Sequence, residues 1–333
     1  MSIRLVDPEV YRSSLAVRDL TDAALGPHAM QILVRDAVAA LRERWRCPVV
    51  LYRAPPVVST AENYDSLGYA PDAAARDARY TRYVSADRLL RTQTSASIPG
   101  ALRMLAAAAY DDVLLVCPGL TYRRDSIDRL HVGEPHQVDL WRIARHRLGE
   151  PELDDMIRAV VTAALPGRTW RTQPAQHPST THGRQTDVDV AGECIEIGEC
   201  GLAAPALLAD CNLPAHSGLA MGLGLDRLVM LRKGLDDIRL LRATDPRIAA
   251  QLVDLATYRP VSMMPPVRRD LSIVVATPTD AEALGDRVRR ALGEAAALVE
   301  AVELVTATPY AALPPAAIAR PGIAPGQHNL LVR

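Results

Sequence analysis

The stretch Thr121–Leu140, TYRRDSIDRLHVGEPHQVDL, gathers the side chains best suited to handling charge. Arg123 and Arg124 stand on its outgoing limb, and His136-Gln137-Val138-Asp139-Leu140 forms the return. A planar guanidinium can hold two oxygens of a phosphate at once, which an ammonium cannot. Arginines on one limb, with an amide and a carboxylate on the other, suit a site that grips a polyanion. The plainer alternative is a charged, solvated hairpin, and the stretch alone leaves both open.

Two antiparallel strands joined by a long polar loop must present these groups. Upstream, Ala24–Trp45 has apolar residues at helical spacing and ends in arginines, predicting a helix. Strands are expected at Val49–Leu51, Leu89–Thr94, Val113–Cys117 and Thr121–Arg124, with an Ala-rich helix over Ile98–Ala109. Asp154–Ala164 reads as a helix. TDVDV at Thr186–Val190 and ECIEIGECGL at Glu193–Leu202 alternate like paired strands, and Gly218–Lys233 passes from a glycine-rich strand into a helix. A further helix is expected near Arg247–Leu255. The tail reads as strand (Asp270–Ala276), helix (Asp280–Leu292), strand (Leu298–Val305) and short strand (Leu330–Val332). Without regular βαβ alternation, the centre is expected to be a mostly antiparallel sheet flanked by helices, an α+β fold.

Composition narrows the function classes. The 333 residues are 49% hydrophobic and 23% charged, enough for a large domain plus a small one. A net charge of −1 gives no global basic field, so any contact with nucleic acid must be local. Lys233 is the only lysine and phenylalanine is absent. Five cysteines in a chain this long do not suggest a disulfide framework. No stretch reaches membrane-spanning length and the N-terminus has no apolar leader, so a cytoplasmic protein without a membrane partner is expected.

Several stretches together resemble the class II aminoacyl-tRNA synthetase core, and within it the phenylalanyl-tRNA synthetases. Tyr122-Arg123-Arg124-Asp125 fits that family's second motif and Gly222-Leu223-Gly224-Leu225-Asp226-Arg227 its third. LRTQTS at Leu90–Ser95 is similar to the family's LRTHTS, Asn63–Leu67 to NFDAL, and His136–Asp139 to HQ-x-E. The likeness runs from about Ala24 to Leu255. It implies amino-acid activation: a carboxylate attacks the α-phosphate of ATP and pyrophosphate leaves, which needs fixed cations where charge grows. By this resemblance Arg123 would hold the α-phosphate and the substrate carboxylate, Arg227 the γ-phosphate, and His131 would assist. Asp125 would serve the nucleotide in place of the usual Glu. Gly222 and Gly224 would let the nucleotide lie against bare backbone. Glu196 would bind Mg²⁺, with a solvated strand face as the alternative.

The amino-acid end departs from the family. Gln137, Asp139 and Ser95 match positions that hold the substrate's amino group, and an ammonium taken out of water needs such acceptors. By the same resemblance Ala220 would line this pocket. Gln93 stands where the family has His, and Ile98 where it has Gln. The family's ring-stacking Phe-x-Phe falls at Ser179 and Thr181, within HPSTTH. An aromatic substrate would therefore lose stacking worth ~0.5–1.5 kcal/mol per pair. His177 and His182 read as exposed loop residues, with a place lining the altered pocket as the alternative, and the spacing of Cys194, Cys200, Cys211 and His216 matches no zinc pattern.

MMPPVRRDLSIVV resembles the start of the family's ferredoxin-fold anticodon-binding domain, which gives two expected domains, 1–257 and 258–333, the second shortened. The layout is similar to the single-chain, organelle-type enzyme. The resulting expectation is a phenylalanine–tRNA ligase-type enzyme using ATP and Mg²⁺, transferring an amino acid to tRNA, and existing as a homodimer or monomer. The shortened tail weighs against tRNA. The alternatives are a biosynthetic paralogue that activates another amino acid, and an inactive relative that binds RNA or protein.

Overall fold

The computed structural model describes residues 5–333 apart from 79, 125, 191, 263–265, 277–278, 316–317 and 319–321. Its contacts divide the chain into two compact units: 5–123 with 134–259, and 124–133 with 260–333.

In chain order the first unit contains α1 (Pro8–Ala16), α2 (Ala29–Trp45), β1 (Val49–Leu51), β2 (Val57–Ser59), α3 (Thr60–Asn63), β3 (Arg88–Leu90) and α4 (Ile98–Ala108). These are followed by β4 (Asp112–Leu120), β5 (His136–Ala144), α5 (Glu150–Ala164), β6 (Trp170–Pro174), β7 (Thr180–Val190) and β8 (Glu193–Ala203). The unit ends with α6 (Pro205–Asp210), β9 (Ser217–Gly224), α7 (Leu225–Lys233) and α8 (Pro246–Ala249). Seven strands form one sheet in the order β1-β4-β5-β9-β8-β7-β6, antiparallel except where β1 joins β4.

Alternation along β5 sorts its two faces. Trp141 and Ile143 pack with Ile98, Leu102 and Leu105 of α4 in one apolar cluster, so Gln137 and Asp139 lie on that same face. Arg142 points the other way, with its guanidinium over the Trp45 ring at the end of α2, 4.7 Å from the centroid. Helices α2 and α5 cover that second face. The face bearing Asp139, beyond the end of α4, is where polar groups collect.

Several boundaries differ from the sequence reading. Thr121–Arg124 is not a strand: β4 begins earlier and ends at Leu120, because Gly119, at φ +152°, lets the Arg91 guanidinium lie against the chain there. Arg91 is buried and donates to the Leu120 and Ala54 carbonyls at 2.7 and 3.1 Å. Helix α2 starts at Ala29, after Gly26-Pro27 and a cap by His28. Only Pro246–Ala249 of the expected 247–255 helix forms.

In the second unit, β10 (Leu271–Val275), α9 (Ala281–Leu292), β11 (Leu304–Pro309) and β12 (His328–Val332) give an antiparallel sheet in the order β10-β12-β11. Its small core holds Val275, Leu284, Leu330 and Val332. The second tail strand lies at 304–309 rather than 298–305, since Gly293–Leu298 continues as 3-10 turns.

Candidate functional site

Asp139 is the centre of the polar face. It sits 4% exposed, and Thr94 Oγ1 donates to Oδ2 at 2.6 Å. Ser95 Oγ reaches both oxygens at 3.0 and 3.1 Å, and Trp141 Nε1 donates to Oδ1 at 3.0 Å. Burial pushes this carboxyl above the ordinary carboxylate range, and the three donors only partly offset it. Gln137, one pleat away, accepts from the Thr94 N–H at 3.2 Å. The TQTS turn thus orients the amide and the carboxylate that the sequence singled out together.

Across the sheet, Asp139 pairs with Gly222 of β9, and Gly222 pairs with Glu199 of β8. Directly paired residues share a face, so two carboxylates flank a glycine whose missing Cβ leaves bare backbone between them. Gly224 pairs likewise with Gln137 and Ala220 with Trp141. Burial raises the Glu199 carboxyl, and the neighbouring Glu196 charge adds to this. Among the described residues Glu199 has no hydrogen-bond or ion-pair partner. Glu196 itself is exposed. Arg227, at the start of α7, donates to the Glu196 carbonyl at 2.7 Å.

Arg123 leaves β4 after Tyr122, whose N–H donates to the Arg91 carbonyl at 2.9 Å; its own Nε donates to the Thr92 carbonyl at 3.0 Å. The LRTQTS stretch therefore fixes both the acid end and this arginine. Asp125 lies outside the described residues. His131 belongs to the second unit, where its Nδ1 faces Asp128 at 2.8 Å. Burial would raise the Asp128 carboxyl, but His131, the Leu130 N–H and Ser126 hold it well below its usual range.

The buried pair His136–Asp226 holds β5 to α7. The Leu20 N–H donates to His136 Nε2 at 3.0 Å, so the ring proton is on Nδ1 and points to Asp226, 3.1 Å away. Asp226 also accepts the His136 N–H. Burial alone would raise the Asp226 carboxyl, yet His136 and Arg242 hold it low. The acid in GLDR is a tie between elements, and Gln137 and Asp139 are aimed by it.

Three expectations at the amino-acid end are revised. Thr181 is exposed and pairs with Leu202, which pairs with Leu219, the neighbour of Arg142 on the helix-covered face. Thr181 therefore faces away from Asp139, and Thr180, lying over Gly201, takes the polar face instead. The register of β7 against β8 shifts between Thr181 and Arg184 and again between Thr186 and Asp187, so the facing of this end cannot be counted along the strand. Second, His177 is no exposed loop residue: its Nδ1 lies 2.9 Å from Ser179 Oγ and its Nε2 3.0 Å from Tyr69 Oη. Third, Tyr69 was missed altogether. It donates to Gln93 Oε1 at 3.0 Å and stands edge-on between Tyr64 and His177, with ring centroids 5.6 Å apart in each pair. Nothing local to Tyr69 signals this, because its partner is 108 residues away. His182 is exposed and pairs with Glu150 at 3.1 Å.

Arg123, Arg227, Gln137, Asp139, Gly222, Gly224, Gln93, Ser95, Ser179 and Ala220 all belong to the first unit: five lie on β5 and β9, Gln93 and Ser95 in the turn before α4, Arg123 after β4, Ser179 just before β7 and Arg227 on α7.

The family model for the tRNA synthetases class II core domain (F) matches residues 49–252. The chain is 34% identical over 199 residues to the phenylalanine–tRNA ligase alpha subunit of Prochlorococcus marinus (strain NATL2A), which covers 59% of this chain and 58% of that protein. It is 29% identical over 229 residues to the mitochondrial phenylalanine–tRNA ligase of Dictyostelium discoideum, across 59% of this chain and 48% of that one. The crystal structure of a pyrrolysyl-tRNA synthetase from Desulfitobacterium hafniense superposes with a TM-score of 0.50 at 18% identity, covering 66% of this chain and 74% of that one. This likeness shows the shared fold, a large antiparallel sheet flanked by helices. With the family model spanning 49–252, the chain belongs to the class II tRNA synthetase core family, type F.

Proposed function

We propose that this protein activates an amino acid with ATP and transfers it to tRNA, as a ligase of the phenylalanine–tRNA type. The arrangement that supports it most is the row Asp139–Gly222–Glu199, with Arg123 and Arg227 carried by flanking elements. In this reading Asp139 and Gln137 accept the substrate ammonium, and Ser95 keeps the carboxylate oriented. The substrate carboxylate oxygen forms a new bond to the α-phosphorus, the bond from that phosphorus to the bridging oxygen breaks, and pyrophosphate carries the electrons away. Arg123 would meet the charge growing on the α-phosphate and Arg227 the outer phosphates; Gly222 and Gly224 leave the backbone open to the nucleotide. By the resemblance alone, Asp125 would serve the nucleotide and His131 would help with the phosphates. An exposed Glu196 within electrostatic reach of Glu199 offers oxygen ligands only, which fits Mg²⁺. Bound there, the ion would neutralise phosphate charge.

The relatives named alpha subunits bear a name that implies a companion subunit. A partner chain of that kind is therefore a proposal here, one that the sequence reading of a homodimer or monomer left out. A cytoplasmic setting is proposed likewise; among the described residues no helix is long and apolar enough to cross a membrane. The 58% coverage of that relative makes the substrate and acceptor a matter for direct assay. ATP–pyrophosphate exchange should proceed with at least one amino acid. Arg123→Ala and Arg227→Ala should each lower it by two to three orders of magnitude, as removal of one electrostatic stabiliser costs ~2.7–4 kcal/mol. A folded wild type that exchanges with no amino acid leaves the binding-only alternative.

A further inference from the structure

The polar groups opposite Asp139 form one chain whose proton directions are determined by its far end. The Asn63 carbonyl can only accept, so the Gln93 amide nitrogen, 3.2 Å away, must face it. Gln93 Oε1 is then turned to Tyr69, whose hydroxyl donates at 3.0 Å. Having given its proton, the Tyr69 oxygen accepts from His177 Nε2–H at 3.0 Å. Burial lowers the His177 pKa and keeps the ring neutral, so its Nδ1 is bare and accepts from Ser179 Oγ at 2.9 Å. Ser179 is 2% exposed. Once these protons are assigned, the free capacity of the chain is mostly lone pairs, on Ser179 Oγ and Gln93 Oε1, against one remaining N–H on Gln93. The Asp139 carboxylate lies within electrostatic reach of His177, which puts the chain near the same acid. A negative field with unused acceptors disfavours a carboxylate and leaves a purely apolar side chain facing unpaired oxygens.

We infer that this chain reads the substrate's side chain, with Ser179 and His177 as specificity residues that favour an amino acid ending in a hydrogen-bond donor over phenylalanine. The inference rests on the activation reading above, and names its substrate class. Sites built to pair with a polar substrate group reject the analogue that lacks it by large factors.

Pyrophosphate exchange by the full chain with phenylalanine, tyrosine, glutamine and lysine tests it. At least one donor-bearing probe is expected to exceed phenylalanine by about 10²-fold or more in kcat/KM. Ser179→Ala and His177→Phe should bring that ratio toward unity, mainly by losing the donor-bearing substrate. Ser179→Ala removes one hydroxyl, so it still tests the point if His177→Phe misfolds, and the ATP-dependent melting shift given by each amino acid reads binding apart from turnover. Phenylalanine as best substrate by a wide margin, or a ratio unchanged in folded Ser179→Ala, overturns the inference and leaves activation standing. Exchange with none of the four and with no other amino acid overturns the activation reading, and this inference falls with it.

Discussion

In the proposed reaction Asp139 answers two demands that oppose each other. Binding an ammonium requires an ionised carboxylate, while burial favours the neutral form and raises the pKa. A raised carboxyl pKa means that the folded state holds a proton more readily than the unfolded one. The charge therefore costs stability at neutral pH, and the cost fades as pH falls through the folded and then the unfolded pKa. Asp139→Asn is expected to keep or raise the melting temperature at pH 7 while raising KM for the amino acid by about 10–100-fold, the worth of a hydrogen bond to a charged group. An unchanged KM with a lower melting temperature would make Asp139 purely structural.

At the scale of elements, helix α2 begins on a histidine that works only when neutral. His28 Nδ1 accepts the Met30 N–H at 3.1 Å as the N-cap, and Nε2 faces the Leu241 carbonyl at 3.2 Å, which requires its proton. Burial lowers its pKa to about 4, although the Leu241 carbonyl alone would raise it. The unfolded chain takes up this proton near pH 6.5 and the folded chain does not, so stability is lost as pH falls from about 6.5 toward 4. The full effect is about 3 kcal/mol. Denaturation midpoints of the wild type should fall over that interval more steeply than those of His28→Asn, which keeps a capping oxygen and does not titrate. Parallel curves for the two proteins would remove His28 from the acid response.

At the scale of the whole molecule, the loop that carries the second-motif residues beyond Arg123 groups with the tail. Arg124 pairs with Asp286 of α9 through two nitrogens, Arg289 donates to the Ser126 carbonyl at 3.1 Å, and the Val302 N–H donates to the Ile127 carbonyl at 2.9 Å. The tail thus has a role in ordering this loop whatever it does for RNA. Asp286→Ala should open the loop by about 1 kcal/mol, roughly fivefold in open population. Tryptic cleavage after Arg124 or Arg129 would accelerate correspondingly in the full chain. An unchanged cleavage rate would show that the backbone contact at Ile127 suffices.

The sequence by itself determined the α+β class, the order of the motif residues, and the pairing of TDVDV with ECIEIGECGL. All three rest on information local to a strand or helix: alternation that must bury one face, and residue types whose chemistry does not depend on their neighbours. It also led to the chain's family through short runs such as LRTQTS and GLGLDR. Only the tertiary structure decided that Thr180 rather than Thr181 faces the site, because one register shift turns a side chain to the other face. Burial of His177 was equally out of reach, since a polar loop residue goes inside only where distant partners satisfy both ring nitrogens, and Tyr69 comes from 108 residues earlier. The membership of residues 124–133 in the tail unit depends in the same way on Asp286, 162 positions beyond Arg124. Contacts of that separation leave no periodic trace in a single sequence.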